Sequence, residues 1–89
     1  MKIKKGFVLR EVCGQNVIVG EGLDAINFGR MLSLNDTAAW IWKRAEQEGE
    51  FTAESLATAM CEEYDVAPER ALADIAATLR QWVELNVVE

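Results

Sequence analysis

The run Leu32-Ser33-Leu34-Asn35-Asp36-Thr37-Ala38-Ala39-Trp40-Ile41-Trp42 decides how this chain is to be read. It begins as a strand, with Leu32 and Leu34 on one face and Ser33 on the other. Asn35 then offers a side-chain oxygen to the free N–H groups of a first helical turn. Asp36 adds negative charge at the positive end of the helix dipole. From there Ala38, Ile41, Trp42 and Ala45 recur at helical spacing on one face. A short strand therefore feeds a capped, amphipathic helix with almost no loop.

Upstream of this junction the chain reads as β structure. Phe7, Leu9, Glu11 and Cys13 share one face of a strand, and Val8, Arg10 and Val12 the other. Gly14-Gln15-Asn16 supply a tight turn, and Val17-Ile18-Val19 return as a second strand. A link punctuated by Gly20, Gly22 and Asp24 leads to a third strand around Arg30 to Leu34. Phe28 and Gly29 either begin that strand or sit in the turn before it.

Downstream the chain is helical. The first helix runs to about Gln47 and stops near Gly49. Thr52 caps a second helix with the apolar stripe Ala53, Leu56, Ala57 and Met60. After a break at Tyr64-Asp65-Val66, Pro68 suits the first turn of a third helix, which leaves Ala67, without an acceptor, at the cap. Leu72, Ile75, Ala76, Leu79, Trp82 and Val83 form its stripe to about Asn86, and Val87-Val88 continue as an extended tail. Strands first and helices after predict an α+β fold, as one domain over residues 1–89.

Composition narrows the chemistry. A chain of 89 residues, 51% hydrophobic and with three tryptophans, is one folded domain around a single small core. It has no histidine, which excludes a His-dependent triad or general base. The two cysteines, Cys13 and Cys61, fall in a predicted strand and a predicted helix and read as buried free thiols. No ligand cluster suggests a metal site, and no cofactor is expected. No apolar stretch follows Lys2, Lys4 and Lys5, so neither a signal peptide nor a membrane span is expected, and the cytoplasm is the default location.

The net charge of −6 is unevenly placed. Residues 1–34 carry five basic groups against three acidic, and residues 35–89 carry four basic against twelve acidic. The helical part would repel a phosphate backbone, which argues against a nucleic-acid partner.

The order Leu34-Asn35-Asp36-Thr37-Ala38-Ala39, followed by Ile41-Trp42, resembles the signature of PqqD-like proteins, also described as RiPP recognition elements. The likeness extends over the hairpin, the Phe51-Thr52 start of helix two and the Asp74-Ile75 pair of helix three. Trp40 departs from the pattern, and Ala67 stands where Ser or Thr is often found. The resemblance implies three antiparallel strands followed by three helices in a winged helix-turn-helix-like arrangement. It also implies a function, binding the leader of a ribosomally made precursor peptide and presenting it to a separate maturation enzyme, often a radical S-adenosylmethionine protein.

In that family the leader pairs with the third strand and lies between it and the third helix. Carried onto this chain, the resemblance implies contacts from Phe28, Arg30, Met31, Leu32 and Ser33. On the third helix it implies a groove-facing edge of Ala71, Asp74, Ile75, Thr78 and Leu79. Met31 and Ser33 would face away from the core, and Arg30 could meet an acidic leader residue. Trp40 reads either as core edge beneath the hairpin or as a partner contact, whereas Trp42 and Trp82 read as core.

Three other functions compete with the adaptor. A winged-helix DNA-binding regulator fits the fold, but Glu54, Glu62, Glu63, Glu69, Asp74 and Glu84 oppose it. A small enzyme would have to use scattered carboxylates or lone thiols. A docking domain for a folded partner differs from the adaptor mainly in leaving the third-strand edge unused.

Overall fold

A computed structural model describes residues 1–20 and 32–89. Strands β1 (Phe7–Val12), β2 (Gln15–Gly20) and β3 (Leu32–Leu34) are followed by helices α1 (Asp36–Glu48), α2 (Ala53–Glu63) and α3 (Pro68–Glu84). The sheet is antiparallel in the order β1-β2-β3, with Leu9 opposite Ile18 and Ile18 opposite Leu32. The expected order of strands, then helices, is found. Gly20, expected in the link, is the last residue of β2; the rest of the link and the start of the third strand, including Phe28, Gly29, Arg30 and Met31, lie outside the described residues.

The hairpin turn is displaced from its expected place. Cys13 (φ 53°) and Gly14 (φ 79°) form it, so Gln15 and Asn16 already belong to β2. Two successive positive φ values give a turn whose twist matches that of the flanking strands. Cys13 is consequently exposed at the turn and is not a buried strand thiol; Cys61 is half-buried against the core.

Each helix end can be traced to named groups. Asn35 Oδ1 accepts from the Ala38 N–H at 2.8 Å, and the Gly49 N–H (φ 75°) closes α1 on the Ala45 carbonyl at 3.0 Å. Thr52 and Ser55 form a reciprocal capping box with bonds of 2.9 and 3.0 Å. Ser55 Oγ also donates to Glu48 Oε1 at 2.7 Å, tying the start of α2 to the end of α1. Ala67 makes no side-chain cap to α3, whose first turn is set by Pro68.

At the far end of α3, Asn86 takes φ 66°. The Val87 N–H returns to the Trp82 carbonyl at 3.1 Å and the Asn86 N–H to Val83 at 3.0 Å, a Schellman closure. That turn sends the expected tail back along residues 2–4. Lys2 and Glu89 exchange backbone bonds of 2.7 and 2.8 Å, and Val87 and Val88 are buried.

Fully buried Ile18, Ile41, Trp42, Phe51, Leu56, Ile75, Trp82 and Val87 make the core. The stripe of α3 is Ala71, Ile75, Leu79 and Trp82, whereas Leu72 and Val83, expected on it, are exposed. Ala71 settles the phase: a methyl group lets α3 approach its neighbours where a leucine would hold it off. On α1, Ala39 is buried and Ala38 only half-buried.

Candidate functional site

Because Asn35 caps α1 immediately after Leu34, β3 and the first turn of α1 form one continuous wall. α3 lies opposite, and between them is a groove of about 440 Å³. One wall carries Leu32, Ser33, Asn35, Thr37 and Ala38. The other carries Asp74, Ala77, Thr78 and Gln81, spaced to share one face of α3, with Trp82 beside them.

Along β3, Leu32 is half-buried, Ser33 exposed and Leu34 buried, the alternation of a strand with one face in the core. Among the described residues β3 pairs on one side only, with β2. Its other side presents backbone donors and acceptors. Thr78 Oγ1 donates to the Asp74 carbonyl at 3.0 Å, so its hydroxyl is already engaged within the helix. Asp74 lies 3.8 Å from Arg70, with both side chains well exposed, a pair worth little in water.

Of the α3 residues expected on the groove-facing edge, Asp74 and Thr78 line it. Ala71, Ile75 and Leu79 do not: they are 0, 0 and 4% exposed and face the core. The reason is the phase of the helix, since the core stripe and the groove stripe adjoin. Leu32 and Ser33 line the groove, and Phe28, Arg30 and Met31 lie outside the described residues. Sequence reasoning missed Leu34, Asn35, Thr37, Ala38, Ala77, Gln81 and Trp82. The spacing of 74, 77, 78 and 81 is a signal that could have found the α3 members.

Trp40 is half-buried and packs against the core edge. Its Nε1–H donates to Glu63 Oε2 at 3.1 Å, and its ring meets Tyr64 edge to face at 5.7 Å. It therefore closes α1 onto the end of α2. Among the described residues, no helix is long and apolar enough to cross a membrane.

Comparison with known proteins agrees with this geometry. The family model described as coenzyme PQQ synthesis protein D (PqqD) matches residues 14–88. No curated protein matches the chain. Among solved structures, TbiB1 in complex with the TbiA(beta) leader peptide is similar, with a TM-score of 0.80 at 22% identity over 100% of this chain and 95% of that one. A lasso peptide synthetase B1 complexed with the leader peptide has a TM-score of 0.73 at 24% identity, over 98% of this chain and 93% of that one. At such identities the likeness is one of fold.

Proposed function

The chain belongs to the PqqD family, and from that premise we propose that it is a peptide-binding adaptor for the leader of a ribosomally made precursor peptide. The observation that carries this reading is the edge of β3 facing a groove walled by α3. An extended peptide adds to such an edge by main-chain hydrogen bonds, while the groove selects its side chains. Both structural neighbours are complexes with leader peptides.

The proposed contacts are Leu32, Ser33, Asp74 and Thr78, with Asn35, Ala77 and Gln81 added from the groove lining. Phe28, Arg30 and Met31 are proposed from the family resemblance alone. Ala71, Ile75 and Leu79 act through the packing of α3. Ordering a leader costs several kcal/mol, so a micromolar complex of about −8 kcal/mol is the expected strength. The domain needs no chemistry of its own. It serves a separate maturation enzyme, of which the radical S-adenosylmethionine type is one class, by raising the local concentration of substrate in the cytoplasm.

Amide NMR titration with peptides encoded beside the gene tests the proposal, with duplex DNA as control. Shifts concentrated in residues 28–38 and 74–82 are expected. Shifts elsewhere, or shifts only with DNA, would overturn it.

A further inference from the structure

A second cavity, of about 360 Å³, lies where the first turn of α1, the end of α2 and α3 converge. Trp40, Met60, Tyr64 and Val66 give it apolar walls, and Asp36 and Asp74 are its two carboxylates. Thr37 and Asp74 line both this cavity and the β3–α3 groove, so the two adjoin. The cavity adjoins the end of the groove at which Leu34 passes into α1.

Its chemistry differs from that of the groove. The walls include two aromatic rings held edge to face, with Trp40 anchored by its bond to Glu63. Among the described residues, the lining carries two acidic side chains and no basic one. Asp74 is paired with Arg70, at 3.8 Å in an exposed and readily exchanged pair. Aromatic faces and carboxylates around an apolar slot suit a long aliphatic side chain that ends in a positive charge.

We propose that this cavity is a specificity subsite for a Lys or Arg of the leader, flanking the segment that pairs with β3 on its Leu34 side. This rests on the leader-binding reading above and adds the chemistry of one leader position. The groove would set register through the backbone, and the cavity would choose among leaders by a single cation.

The test is selection of random linear peptides displayed on phage against the full chain and against its Trp40→Leu and Asp36→Asn variants, each first checked for folding by far-UV circular dichroism. Against the unsubstituted chain, β-branched and apolar positions should emerge together with Lys or Arg at one fixed offset. Both variants should keep the former and lose the latter. A selected peptide remade with norleucine in place of that cation should bind the chain about five-fold more weakly and the Trp40→Leu variant unchanged.

Apolar residues at that offset would overturn the subsite while leaving strand addition intact. So would cations scattered without register and retained by both variants, which would report only the net negative charge. Failure to enrich any sequence would overturn the leader-binding reading and this inference with it.

Discussion

Trp42 on α1 and Trp82 on α3 meet edge to face, with ring centroids 5.2 Å apart and planes at 74°. Trp82 also lines the groove, so this contact joins the proposed binding surface to the centre of the core. The Trp42 Nε1–H is buried without an acceptor among the described residues. That costs on the order of 1–3 kcal/mol, which burial of an indole, at about 4–6 kcal/mol, outweighs. Replacing either ring by Ala should cost about 3–5 kcal/mol in urea unfolding, a large part of a small domain's stability. In a double-mutant cycle with Leu at both positions, the coupling should be about 1 kcal/mol; zero coupling would mean the rings merely fill space.

The three helix starts are not equally capped, and the difference predicts opposite effects. Asn35→Ala removes the bond to Ala38 and should destabilise by about 1 kcal/mol. Ala67 already has the extended backbone of a cap, at φ −64° and ψ 137°, but no acceptor. Ala67→Asp should therefore stabilise by about 0.5–1 kcal/mol, which thermal unfolding would show as a rise of several degrees. A fall in melting temperature would mean that the new carboxylate does not reach the α3 amides.

Those caps also show how far the sequence could be read. Asn35, Thr52 and Gly49 are legible because each acts on amides or carbonyls a few residues away. The edge of the α3 stripe was not, although Ile75, Leu79 and Trp82 are buried as expected: Ala71 and Leu72 are adjacent, and hydrophobicity favours the leucine that the structure exposes. What decides between them is clearance between packed helices, which no local window contains. The same holds for the groove. Thr37, Ala38 and Gln81 are unremarkable in sequence and become neighbours only when α3 folds back along β3.

The hairpin turn offers a test of backbone strain without packing. A Cβ on Gly14 would meet nothing within 4 Å, so Gly14→Ala changes only the cost of a positive φ. That cost should be about 1–2 kcal/mol. Cys13→Asn should act in the other direction, because Asn tolerates positive φ and Asn-Gly is the preferred pair for this turn. Both are read by chemical denaturation under reducing conditions. Equal stability of Gly14→Ala and the unsubstituted chain would show that the turn relaxes to another form.

The groove itself can be filled without disturbing the core. Thr78 is half-buried, and among the described residues its hydroxyl is bonded only within its own helix, so the fold depends little on it. Thr78→Trp should leave unfolding within about 0.5 kcal/mol of the unsubstituted protein, as surface changes usually do. The indole would project between α3 and β3, where an added strand has to lie. Affinity for a leader peptide, measured by fluorescence polarisation, should then fall more than about tenfold, the equivalent of 1.4 kcal/mol. Arg80→Trp is the control: it adds the same ring to an exposed position of α3 outside the groove lining and should leave affinity unchanged. If both variants bind equally well, the peptide does not occupy the β3–α3 groove. If both lose affinity alike, the indole acts through the helix surface and not by blocking the groove.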